Sequence, residues 1–341
     1  MARLWGTGFE MGSLQCFEFL DGAEGTFFGA TTVQARNGSY SFNSSSASKY
    51  GRQSLDGNPG EIFLRVGFWL CALPSSRAPM IGLLDPAGVA QLTLGFNIST
   101  ARLELRRGDS TGAVIAEGSI IALDTWYCYE MHVVADPVSG AVELLLDGVS
   151  DLTFSGDSFD AAAIGFLRVG SPGSISFAQG YYDDIAINDT TGYHNNSWVG
   201  RGGFWPVVPA GVGTSSDFTP EPAIDDNWEC VDDIPPDDDT SYVESDTENH
   251  EDLYTVTPLT PVVGTITAVH YWTRARMSEA GIGGLRRLIR HDGANYEGTD
   301  LAFDTTYRYV HNASHIFDQA PDDTGWDIAK VNALEIGQKV I

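Results

Sequence analysis

The chain has 341 residues, of which 43% are apolar and 11% aromatic, enough for more than one domain with its own core. Its formal charge of −27, from 46 acidic against 19 basic side chains, leaves no basic footprint for a nucleic-acid backbone and argues against that class of partner. No apolar run approaches the length of a membrane-spanning helix, so no membrane insertion is expected.

The first ten residues carry one basic side chain, Arg3, and no apolar segment of signal-peptide length, so classical secretion is not expected. Cys16, Cys71, Cys128 and Cys230 are spread too widely for a metal knuckle. Two of them, Cys71 and Cys128, lie within strand-like runs. Buried free thiols are the expectation, with disulfides as the alternative.

Residues 1–205 read as one all-β unit. Ile62 to Leu70 is apolar on both faces, as a central strand covered on both sides requires. Gln91 to Ile98 places Leu92, Leu94, Phe96 and Ile98 on one face, and Ala101 to Arg106 repeats this with Leu103 and Leu105, the pattern of half-buried antiparallel strands. Leu123 to Val134 and Val142 to Gly148 then form a hairpin. Side chains alternate faces in a strand, so Tyr127, Tyr129, Met131 and Val133 share the apolar side with Val142, Leu144 and Leu146. Between them Asp136 to Gly140 is a short turn, with Pro137 to fix φ and Gly140 expected at positive φ.

The composition changes at residues 206–240. Prolines remove backbone donors and the carboxylates of Asp225 to Asp239 repel one another, so this stretch reads as an acidic linker. Residues 202–273 hold 15 acidic residues and no Lys or Arg, which leaves 31 acidic against 19 basic residues elsewhere. Residues 241–341 read as a second, smaller β unit. Its strands are expected at Thr265 to Arg276, Gly284 to Arg290, Thr306 to Val310 and Glu335 to Ile341. One short helix is expected within Thr324 to Glu335, capped by Thr324 or Asp327.

Three pieces of the first unit carry a resemblance: Phe9 to Ser13, Asn37 to Phe42, and the Trp126 hairpin with its Asp147 and Gly148 turn ahead of Tyr182 to Ile187. Together they resemble the LamG-like, concanavalin A-like lectin/glucanase superfamily. The resemblance implies a jelly-roll β-sandwich over about the first 200 residues. Trp228 to Val243, Arg290 to Gly298 and Gly325 to Gly337 resemble a shorter β module that follows such domains in tailed-bacteriophage virion proteins.

Catalytic carboxylates on alternate strand residues would mark a glucan hydrolase, and the only near candidate, Glu143 with Asp147, has the wrong spacing. His132 reads as a surface or satisfied core histidine, and His311 and His315 flank Asn312 to Ser314 in a strand or loop where a metal role is not expected. No catalytic or cofactor-binding residue is therefore expected, nor an enzyme. Asp183 and Asp184 are the candidate Ca²⁺ ligands, since this metal takes hard oxygen donors and the resembling domains bind it at sandwich rims. The run Asp237 to Asp239 lacks the spacing of a calcium loop and reads as solvated charge. Tyr181, Tyr182, Tyr193, Trp198, Phe204 and Trp205 are candidates for a glycan or a packing interface. Arg286, Arg287 and Arg290, with Arg274 and Arg276, make a locally basic patch suited to an acidic neighbour.

The expected function is a bacteriophage virion structural protein at the tail tip that binds the host receptor. A capsid decoration protein is one alternative and a free carbohydrate-binding lectin another. The expected partners are other virion proteins, further copies of the chain and a host-surface glycan. The expected location is the tail or capsid surface of the virion, after assembly in the host cytoplasm.

Overall fold

The computed structural model describes every residue except 1, 2, 46–48, 74–77, 98, 172–179, 224, 225, 261–263, 281, 282 and 310–315. The chain divides into two compact units, Met1–Phe204 and Trp205–Ile341. Both are built from antiparallel strands, and the one α-helix among the described residues is Ile328–Asn332.

The first unit is a sandwich of an eight-stranded and a seven-stranded sheet. At the middle of the larger sheet lies Glu61–Leu70, hydrogen-bonded to Trp126–Val134 on one side and Gly180–Asp189 on the other. Its two apolar faces have two different covers. Ile62, Leu64, Val66 and Phe68 point to the second sheet, where they meet Leu92, Leu94, Phe96, Leu103 and Leu105, all buried. The Phe68 and Phe96 rings stack across the gap with centroids 5.4 Å apart. Each such fully buried side chain contributes on the order of 1.5–3 kcal/mol. An aromatic cluster of Trp5, Phe9, Phe17, Phe28, Phe42 and Tyr182 extends this core. On the other face, Arg65 and Glu130 are buried beneath the segment that runs from Trp198 to Phe204.

The expected hairpin is present, with Trp126–Val134 paired to Gly140–Leu146. Asp136 closes its turn by accepting the Val138 and Ser139 amides. Gly140 is not in the left-handed region, contrary to expectation. Glycine is needed there for space, since a Cβ would lie 1.9 Å from Ser158 Oγ. The left-handed pair is Asp147 and Gly148, φ 52° and 83°, which reverses the chain into Val149–Gly156 as a two-residue hairpin turn.

In the second unit a five-stranded sheet runs in the order Pro209–Ser216, Glu251–Val256, Glu335–Val340, Gly284–His291, Ala294–Ala302. The proposed linker 206–240 is corrected here: Pro209–Ser216 is an edge strand of this sheet, and Thr219–Glu221 pairs with Tyr242–Glu244. Charge repulsion does not exclude regular structure here, because the stretch is tied to the sheet by specific hydrogen bonds in which it supplies the donors. The buried Asp252 accepts the Phe218 amide at 2.9 Å and Asn227 Nδ2 at 2.6 Å. The long strand expected over Thr265 to Arg276 is instead two short ones, Val269–His270 and Arg274–Ala275. The helix is shorter than expected and is capped by Asp327, whose carboxylate accepts the Lys330 amide. It packs Val331 beside Ile289, Trp326 and Leu334 in the unit's core.

Candidate functional site

Asp183 and Asp184 sit in the middle of Gly180–Asp189, where the register with Glu61–Leu70 slips between Asp183 and Ala186 and Asp184 takes φ 53°. This bulge turns both carboxylates inward, and both are fully buried. Asp183 Oδ2 accepts the Arg36 amide at 2.8 Å and the Asn37 amide at 3.3 Å, while its Oδ1 accepts the Asp184 amide at 2.7 Å. Asp184 Oδ2 accepts Arg36 Nη1 at 2.7 Å and Asn37 Nδ2 at 2.6 Å, and its Oδ1 accepts the Phe204 amide at 2.8 Å. A Ca²⁺ ion at this pair would have to displace these N–H donors. Burial, with the Asp184 charge beside it, pushes the Asp183 carboxyl up to about 9.

Around this pair the structure assembles a clasp that the sequence did not reveal. The Arg36 guanidinium donates to the carbonyls of Gly202 and Arg201, and Arg65 donates to those of Asp184 and Gly200. Glu130 accepts the Gly200 amide at 2.6 Å. Glu10 receives the Ser39 and Tyr40 amides, and its carboxyl is raised by burial. Segments near residues 10, 36–40, 65, 130 and 200–204 thus converge on two aspartates. The only sequence signal for it was the Asn37 and Gly38 turn, where Gly38 has φ 62° and a Cβ would strike the Glu10 carboxylate.

The aromatic candidates scatter. Tyr182, 1% exposed, stacks on Phe42 in the core, so its expected role in ligand or interface contact is corrected. Trp198 packs edge-on against Phe63 and His132, and Phe204 lies over Arg65. His132 itself stacks on Phe63 and bonds Glu61. Tyr193 is 97% exposed, and Trp205, the first residue of the second unit, is also exposed.

Tyr181 alone among these aromatics lines the groove of about 400 Å³ found along the edge strand Phe28–Thr31. The tight turn in which Gly25 and Phe28 exchange backbone hydrogen bonds thrusts Phe27 outward, 60% exposed. A Cβ on Gly29 would lie 2.9 Å from the Gly25 carbonyl, so that turn needs glycine. Glu24, Thr26, Thr31 and Asn43 supply polar groups along the groove beside the exposed Phe27 ring, while Tyr181, 3% exposed, forms only part of its wall. One exposed ring face beside several hydrogen-bonding groups is what a sugar ring requires, because its C–H face is apolar and its edge is hydroxylated.

In the second unit the basic residues pair within the chain. Arg286 reaches Glu297 and Asp300, and Arg290 donates to Asn295. Arg287 is 2% exposed and donates to Thr273, with its guanidinium lowered by burial to about 10; its place in an exposed basic patch is therefore corrected. The run Asp237 to Asp239 is not merely solvated either: Asp238 grips Arg274 through Nε and Nη2, and Asp239 holds Arg276. His311 and His315 lie outside the described residues. All four cysteines are free, and three of them, Cys16, Cys128 and Cys230, are buried. Burial raises the thiols of Cys16 and Cys128 to about 12 and about 11.

No family model matches the chain, and no curated protein matches it by sequence. Solved structures do. A cellulose-induced protein, Cip1, is 20% identical, with 58% of this chain and 99% of that one covered at a TM-score of 0.42. Domain 4 of AbnA, a GH43 extracellular arabinanase from Geobacillus stearothermophilus in complex with arabinotriose, is 16% identical, covering 55% and 92% at 0.40. A Trypanosoma rangeli sialidase is 12% identical, covering 47% of this chain and 26% of its own at 0.36. The likeness is one of fold. The expectation that the chain is not an enzyme is corrected by these matches, since a sialidase and a domain of an arabinanase are among them. What is shown is an antiparallel β-sandwich followed by a smaller β unit with one short helix.

Proposed function

We propose that the first unit binds a glycan in the groove beside Phe28–Thr31, and that the chain serves host attachment as a tail component of a bacteriophage particle. The groove carries the glycan half of this reading, because it sets the exposed Phe27 ring beside Tyr181, Asn43 and Glu24. The arabinotriose complex of the AbnA domain is in keeping with it. The particle half rests on the resemblance of Trp228 to Val243, Arg290 to Gly298 and Gly325 to Gly337 to modules of tailed-phage virion proteins. Other virion proteins and further copies of the chain are the partners this role requires. A bound Ca²⁺ is not needed for it, since the Asp183 and Asp184 carboxylates already hold the clasp together.

Immunogold labelling of intact particles with an antibody against the chain tests the placement. Label at the tail tip is the expected result. Label on the capsid faces would favour a head decoration protein, and unlabelled particles would leave a free lectin.

A further inference from the structure

The second unit holds a cluster of metal-ligating side chains remote in sequence from the groove. Gly284–His291 turns into Ala294–Ala302 through Asp292 and Gly293, φ 47° and 80°, a two-residue hairpin turn. The turn leaves His291 at the strand's end with its ring inside, 2% exposed and edge-on to Trp326. Its Nδ1 is buried with no hydrogen-bond partner in the structure. A buried polar nitrogen left in this way costs free energy that a ligand would recover. Asp292 Oδ2 stands 3.7 Å from that nitrogen, and the ligand atoms of His291, Asp292 and Asp322 all lie within 4.8 Å of one another. Both carboxylates are at the surface while the imidazole closes the floor.

We propose that His291, Asp292 and Asp322 form a binding site for a first-row divalent transition-metal cation of the Zn²⁺ type. The donor set selects the class: one imidazole and two carboxylates suit Zn²⁺, Mn²⁺ or Co²⁺, whereas Ca²⁺ and Mg²⁺ take oxygen donors. In a tetrahedral site with bonds near 2.0–2.1 Å, ligand atoms stand roughly 3.4 Å apart. The His291 to Asp292 distance is close to that already, and the exposed aspartates need shift only slightly. Three protein ligands leave a fourth position open to water or to a group from outside the chain. Lys330 competes for the site, since its Nζ lies 2.9 Å from Asp322 Oδ2 and 3.2 Å from Oδ1. Metal binding must therefore displace an ammonium group, and removing that group must tighten it.

Isothermal titration of the full chain with ZnCl₂ at pH 7.5, in millimolar Ca²⁺ to saturate the many surface acids, is the test. One saturable site is expected, weakened at least tenfold in Asp292→Asn and tightened several-fold in Lys330→Ala. Asparagine tolerates the positive φ at 292, so the thermal midpoint of the metal-free Asp292→Asn variant should match the parent. Co²⁺ bound in place of Zn²⁺ should give visible ligand-field bands that are lost in the same variant. Absence of a saturable site, or binding unchanged in both variants, would overturn the proposal, the latter marking cations held by surface charge alone.

Discussion

Asp184 has two properties that work against each other, a buried charge and a left-handed backbone, and the substitution Asp184→Asn separates them. Asparagine keeps φ 53° at little cost but removes the charge that Arg36 faces. Breaking one side of a buried ion pair costs about 3–5 kcal/mol, and urea unfolding of the first unit should show a loss of that order. Asp183 gives a pH signature. Its folded carboxyl holds a proton up to about 9, through burial and the neighbouring Asp184, whereas an unfolded aspartate releases it near 4. The stabilisation is thus full below about pH 4 and is lost as pH rises through about 9. Urea midpoints for the first unit should fall between pH 5 and pH 8.5, and Asp183→Asn should flatten that slope. An equal slope in parent and variant would assign the effect elsewhere. The sequence pointed to these two aspartates but not to their partners, since Arg36 with Asn37, Arg65 and Phe204 reach them from three distant segments.

At the scale of elements, glycines decide where strands can close on one another. Gly337 lies in the central strand Glu335–Val340, and a Cβ there would lie 1.8 Å from the Asp252 carbonyl. Backbone cannot yield as a flexible side chain can. Gly337→Ala should destabilise the second unit by about 1–3 kcal/mol, read as a lower midpoint in its own unfolding transition. Apolar strands were legible in the sequence: Glu61–Leu70 lies where a run apolar on both faces put it, and Ala90–Phe96, Arg102–Arg107 and the Trp126 hairpin lie where alternation put them. Pro209–Ser216 was not, because an edge strand half open to solvent needs no such stripe and its two glycines and proline read as loop. Thr265 to Arg276 failed for the opposite reason. Its β-branched and aromatic run suggested one strand, but tertiary contacts split it, placing Ile266 against Trp326 and Val269 against Phe317.

Over the whole molecule, the charge of −27 is partly organised within the chain rather than offered to a partner. In the second unit Asp238, Asp239, Glu297 and Asp300 are matched to Arg274, Arg276 and Arg286, and the Arg274 guanidinium also lies over the rings of Tyr307 and Tyr309. Exposed pairs of this kind each contribute little, about 0–1 kcal/mol, so the unit's stability should respond only weakly to salt. The fold class was legible in the sequence because alternation recurs along the chain. The groove was not, because Phe27 acquires its exposure from a glycine turn rather than from any pattern. That groove also offers the most direct test. Titration of the full chain across a glycan array should give saturable binding to at least one oligosaccharide, and Phe27→Ala, at an exposed position, should weaken it tenfold or more with an unchanged thermal midpoint. A parent protein that binds no glycan on the array, or a variant that binds as tightly as the parent, would contradict it.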